Sequence, residues 1–138
     1  MDHERTIERI EIIEWYDGLV LGLATFPGAE ALVCLLAFDP DARRKLYLFI
    51  SIPPKECNAL RKLFKDRGPQ GFTKKIIAAT LQGHCGVYLT IAEPKTGGSV
   101  VLHPLTATQI GQILLPGFPT IEFAVARSKM WDWFDEIS

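Results

Sequence analysis

No apolar run in this chain approaches the roughly 18 to 20 residues that a bilayer-spanning helix needs, so an integral membrane protein built on helices is not expected. The chain also lacks C-x-x-C, H-x-H and H-E-x-x-H patterns, and His3, His84 and His103 lie far apart, so no metal site is expected. Phosphate-loop and dinucleotide glycine patterns are missing. Gly97-Gly98 falls in a predicted hairpin loop rather than between a strand and a helix, and no cofactor is expected. Cysteine is scarce. Cys34, Cys57 and Cys85 are odd in number and widely spaced, which points to packed thiols rather than a disulfide framework. The opening residues Met1-Asp2-His3-Glu4 are polar and acidic, unlike an export signal, which makes the cytoplasm the expected location. Glu8, Glu11 and Glu14 share no face of an alternating strand, so no carboxylate dyad stands out.

What the chain does have is core. Its 138 residues are 48% hydrophobic, enough to fold as one domain over 1–138. The net charge of −1 conceals a segregation. Residues 1–42 hold nine acids and two bases, 43–75 hold ten bases and two acids, and 76–138 hold five acids and three bases. An acidic block thus precedes a basic one, a pattern that favours charged surfaces and steered association.

The most regular stretch runs from Trp15 to Ile52 and predicts an antiparallel meander. Leu19–Phe26 is its first clear strand, with Leu19, Leu21 and Leu23 on one face and Val20, Ala24 and Phe26 on the other. Pro27-Gly28 supplies a turn. Ala31–Phe38 is apolar throughout, as befits a strand covered on both sides. After the Asp39-Pro40-Asp41 turn, Leu46–Ile52 puts Leu46, Leu48, Ile50 and Ile52 on one face. Ile7–Trp15 has both helical and alternating spacing; its β-branched content and the following Tyr16-Asp17-Gly18 turn favour a strand.

Glu14-Trp15-Tyr16-Asp17-Gly18, Gly22-Leu23-Ala24, the strand ending in Phe38-Asp39, Tyr47 and a helix after Pro54 resemble a family of small uncharacterised bacterial proteins with a Y-D-G-P-type hairpin motif. The resemblance covers roughly residues 10–65 and departs from the family pattern at Leu19, where the family has Pro. It implies the meander-plus-helix layout and carries over no activity and no site residue.

Pro53-Pro54 ends the third strand and opens a helix, Lys55–Arg67. Cys57, Leu60, Leu63 and Phe64 form its apolar stripe; Lys55, Arg61, Lys62 and Lys65 lie on the other side. Residues 72–81 fit helix or strand. Val87–Ala92 and Ser99–His103 predict a second hairpin, Thr106–Leu114 a short helix, residues 120–126 a strand and 129–137 a terminal helix. Strand, proline, helix recurs at Leu46–Pro54 and Ser99–Pro104, a faint sign of two related halves, about 1–70 and 71–138. The expected fold is therefore α+β: antiparallel β-meander or hairpin units with two or three helices packed on one side.

The chemistry-bearing residues are few. His84-Cys85 between glycines, with His103 on a returning strand, is the one candidate for a thiol enzyme or small-ligand site, but neighbouring residues of a strand point apart. Trp131 and Trp133 either lock the tail or serve as contact residues. The expectation is a small, non-enzymatic binding protein, of toxin-neutralising (immunity) type, using Lys55, Arg61, Lys62 and Lys65 as one surface and Trp131 and Trp133 as another. The partner would be an acidic protein or a second copy of the chain. Catalysis at Cys85, His84 and His103 is one alternative. Nucleic-acid binding by the basic helix is another, weakened because Phe64 faces the core instead of interleaving with the bases.

Overall fold

A computed structural model describes residues 3–15, 18–39, 44–67, 86–91, 93–106 and 108–109. Seven strands make one antiparallel sheet. They are β1 (His3–Thr6), β2 (Arg9–Trp15), β3 (Leu19–Phe26), β4 (Ala29–Asp39), β5 (Arg44–Ile52), β6 (Val87–Thr90) and β7 (Ser99–Pro104). The helix α1 (Pro54–Arg67) stands between β5 and β6 in the chain. The sheet order is β1-β7-β6-β5-β4-β3-β2.

This corrects the expected α+β layout. Among the described residues the expected β6–β7 hairpin forms but is not a separate unit: β6 also pairs with β5 and continues the meander. Nor do two or three helices pack on one side; the fold is a mostly antiparallel half-barrel, and α1 is the one complete helix among the described residues. The helices expected at 106–114 and 129–137 lie outside the described residues, apart from Thr106, Thr108 and Gln109. At that point Thr106 Oγ1 accepts from the Gln109 amide (3.2 Å) while Gln109 Oε1 accepts from the Thr106 amide (2.9 Å), a reciprocal N-terminal cap. Residues 72–81 and 120–126 are also outside the described set.

Local chemistry explains the meander. Pro27 and Gly28 close the two-residue β3–β4 hairpin, with Gly28 at φ 75°, the left-handed position that a type II turn requires after its proline. β4 is buried on both faces from Ala31 to Leu35, as its unbroken apolar sequence implies. Leu32 and Cys34 enter one cluster, whereas Ala31, Val33 and Leu35 enter the other.

The first cluster includes Leu46, Leu48, Ile50 and Ile52 of β5 and lies under α1. Pro54 suits the first helical turn, Glu56 complements the positive end of the helix, and Cys57 N–H donates the first bond to Pro53 O (3.0 Å). Cys57, Leu60 and Phe64 then recur at helical spacing and pack onto the sheet. The second cluster joins Val20, Ala24 and Phe26 of β3 to Val100 and Leu102 of β7. Those strands stand far apart in the sheet order, so the sheet must curl around this cluster.

Ile7 and Glu8 make that curl possible. β1 lies at one end of the sheet and β2 at the other, yet only these two residues separate them. The Ile7 amide donates to Gly98 O and its carbonyl accepts from Gly97 N (2.8 Å each); the Glu8 amide turns the other way, to Thr25 O (2.8 Å). One bent segment thereby clasps both ends, and Ile7 is fully buried.

Leu19 departs from its expected face. The β2–β3 register slips twice, leaving Ile13 extra on β2 and Val20 extra on β3. Leu19 therefore joins Val20 in the second cluster, while Leu21 and Leu23 remain in the first.

Ile7→Ala should cost about 2–5 kcal/mol in urea denaturation, through lost burial and a cavity at the clasp. Glu4→Ala, on the exposed surface of β1, should stay within about 0.5 kcal/mol. Equal effects would mean that the clasp carries no special stability.

Candidate functional site

Of the cations expected on the outer face of α1, Lys55, Lys62 and Lys65 are exposed. Arg61 is not directed to solvent. Its Nε donates to Glu11 Oε1 on β2 (2.7 Å), one terminal nitrogen donates to Glu30 Oε1 on β4 (2.8 Å), and the other reaches Asn58 Oδ1 (2.9 Å). It ties the helix to two strands. Hydrogen bonding to Glu30 leads the effects that raise its basicity. Glu30 is pulled the opposite way. Burial pushes its carboxyl up, but the Arg61 guanidinium and the adjoining Cys57 thiol outweigh this and hold it below the usual range. Cys57 is pushed up to about 12 by burial and by Glu30, and Cys34 to about 12 by burial alone, so both thiols stay protonated.

Arg61 stands four residues after the buried Cys57 and so borders the apolar stripe; that spacing is the sequence signal for an inward-facing role. Thr25 and Glu30 face each other across β3–β4, and Thr25 Oγ1 and Glu30 Oε2 are buried with no hydrogen-bond partner among the described residues.

A second polar node pins the β6–β7 loop. Glu93 Oε1 accepts from the Leu19 amide (3.0 Å), with Tyr47 Oη at 3.2 Å and Lys45 Nζ at 3.4 Å. Tyr47 Oη also lies 2.8 Å from Leu19 O, and its single proton serves that carbonyl or Glu93. Burial and then the Glu93 charge push the phenol up. Burial raises Glu93 as well, yet the Leu19 amide and Lys45 prevail and hold it below the usual carboxylate range. Gly18 lies against this node at φ 131°, and a Cβ there would collide with Lys45 Nζ and Glu93 Oε1.

His103 is buried on β7 and engaged in an interaction of its own. His84, Cys85, Trp131 and Trp133 lie outside the described residues. Among the described residues no group of three or more His, Cys, Asp or Glu could hold a metal ion, and no helix is long and apolar enough to cross a membrane.

Four large apolar side chains are exposed among the described residues, Ile12, Trp15, Ile91 and Val101, and the two most exposed share one strand. Ile12 is 52% and Trp15 59% exposed, both on β2, the last strand of the sheet. Thr96 Oγ1 accepts from the Ile10 amide on the edge of β2 away from β3 (3.0 Å). The two-residue period directs the Ile12 amide to the same edge, and among the described residues it makes no hydrogen bond to that loop. Glu14, next to Trp15, makes no ion pair among the described residues. Sequence reasoning did not single out Ile12 or Trp15 as contact residues. The two bulges, which the sequence does not signal, fall between Ile12 and Trp15 and change the alternation of faces there.

No family model, no curated protein and no solved structure matches this chain.

Arg61→Ala should destabilise by about 2–3 kcal/mol, because it strands the Glu30 carboxylate; Lys62→Ala should stay within about 0.5 kcal/mol. Thr25→Val should be neutral or stabilising, since it removes an unpartnered hydroxyl. Thermal or chemical denaturation measures all three. A stability profile against pH checks Glu93. Its folded pKa is depressed, so its contribution is present above the ordinary carboxylate pKa and is lost as pH falls through the folded value. Glu93→Gln should lower stability at neutral pH and flatten the loss on acidification. An unchanged acid limb would show that the node contributes nothing.

Proposed function

We propose that this chain is a non-enzymatic protein-binding module, acting in the cytoplasm and of the toxin-neutralising kind, whose partner adds an extended segment to the edge of β2, which no further strand covers among the described residues. The observation that carries the reading is the exposure of Ile12 and Trp15 on that edge. An edge strand offers unpaired backbone groups as well as side chains, and an incoming strand satisfies the first while its own side chains select for the second. Trp is well suited to such a contact because it buries a large area and loses few rotamers. Exposed Glu14 stands between Ile12 and Trp15, with exposed Glu8 and Arg9 at the start of the strand, so the complementary segment would carry apolar residues and at least one cation.

The helix surface supports a weaker version of the acidic-partner reading. Lys55, Lys62 and Lys65 remain available, but Glu56 and Asp66 are exposed on the same helix, and Arg61 is committed to Glu11 and Glu30. That balance also weakens the case for a nucleic-acid contact, which gains from unopposed positive charge.

Affinity capture from the native extract, run in parallel with the wild type and with the Ile12→Lys/Trp15→Ala double variant, tests the proposal. A stoichiometric protein held by the wild type and lost by the variant, with slowed amide exchange at Ile12 in the complex, is the expected result. A partner held equally by both variants would place the contact elsewhere. Recovery of nothing, or of the chain itself with no change at Ile12, would oppose the reading.

A further inference from the structure

At the Arg5 end of the half-barrel the second cluster does not fill the curl. A cavity of about 200 Å³ remains, with Phe26, Phe49, Tyr88 and Leu102 among its walls. Drug-sized ligands occupy pockets of about 300–1,000 Å³, so this space suits a smaller guest. At about 30 Å³ per water, it would hold roughly seven waters' worth of volume. The walls are mostly apolar and belong to six strands, β1, β3, β4, β5, β6 and β7.

The polar lining is Arg5, Glu30, Ser51 and the Tyr88 phenol. The Glu30 carboxylate is already paired with Arg61 (2.8 Å), so Arg5 and Ser51 give the cavity direction. Arg5 reaches over the mouth, with its guanidinium carbon 5.7 Å from the centre of the Phe26 ring. No carboxylate pairs with Arg5 among the described residues. Ser51, also on the wall, is half-buried, and its hydroxyl makes no hydrogen bond among the described residues. Space near Ser51 depends on Gly86: a Cβ there would come within 2.8 Å of Ser51 Cβ and 3.4 Å of the Tyr88 ring. The absent side chain therefore leaves room between two wall residues.

We propose that this cavity binds a small amphipathic carboxylate, with its apolar body among Phe26, Phe49 and Leu102 and its carboxylate on Arg5. The cation sets the sign of the ligand. A guanidinium presents paired donors matched to a planar carboxylate, and Ser51 adds a neutral donor deeper in. The aromatic walls select for a body that is flat or branched and apolar, and the volume limits its length. The site is separate from the β2 edge around Ile12 and Trp15, so either can fail without the other.

Benzoate and isovalerate are suitable probes, with benzyl alcohol as the neutral analogue and acetate as the analogue without a body. NMR titration of the whole chain should show saturable shifts at Phe26, Phe49 and Leu102 with the two probes, and much weaker ones with benzyl alcohol or acetate. Arg5→Gln, at an exposed position, should leave the fold intact and weaken benzoate about tenfold or more, since it removes a charge-assisted contact. Ala29→Leu, at the half-exposed rim, should block both probes. The absence of shifts at those three residues up to millimolar probe would overturn the proposal. So would equal benzoate affinity in the wild type and Arg5→Gln.

Discussion

Everything in this fold depends on where the backbone hydrogen bonds of Ile7 and Glu8 go. A seven-stranded sheet has two edges, and each edge is a row of unpaired peptide groups. The chain solves most of this problem at its start. Ile7 bonds to the loop before β7, and Glu8, one residue later, bonds to β3. Because the two peptide groups face opposite ways, one short segment belongs to both ends of the sheet. The remaining strands must then curl, and the curl defines an inner cluster and an outer one.

The two clusters need different covers. The inner one is enclosed by the sheet itself, from Ile7 round to Leu102. The outer one would leave Leu46, Leu48 and Ile50 bare without α1. Burial of apolar area holds the helix there, but that force is non-directional. Arg61 supplies the direction: its fork meets Glu11 and Glu30 on strands separated by β3, so the helix cannot slide without breaking a charged contact. The Glu93 node does the same at the opposite end, where the β6–β7 loop meets β3 and β5. These polar nodes fix geometry that hydrophobic burial alone would leave loose.

Much of the meander was legible because its signals are local. Pro27-Gly28 states its own turn, the unbroken apolar run of β4 states burial on both faces, and the spacing of Cys57, Leu60 and Phe64 states a helix face. What was not legible is non-local. β1 (His-Glu-Arg-Thr) has no apolar pattern at all and exists because β7 is there to pair with it. β6 continues β5 across a long excursion of the chain, which no local signal encodes, and so separate hairpin units were expected where one sheet forms. Leu19 faces the second cluster and not the first because a strict two-residue period cannot anticipate a bulge at Val20. Arg61 was grouped with the lysines on charge alone, although its place four residues after Cys57 already put it at the border of the stripe.

The same closure decides where binding chemistry can lie. A fully closed barrel would have no free edge and a sealed interior. Here, among the described residues, the clasp reaches to Ile10, whose amide donates to Thr96 Oγ1. Past that point β2 runs on with Ile12 and Trp15 outward, and near the other end Arg5 leans over an interior that its neighbours do not fill. Both features arise from incomplete closure, yet they differ in kind. An open edge recognises a backbone, so its selectivity must come from the few side chains that flank it. A cavity behind a single cation recognises a charge and a shape, so its selectivity comes from volume. Strengthening the closure would suppress the first by pairing the edge and the second by filling the curl. Among the described residues an exposed tryptophan stands beside a glutamate with no ion pair, and an arginine with no carboxylate partner stands above an apolar hollow; each is a stability cost that binding at those places would offset.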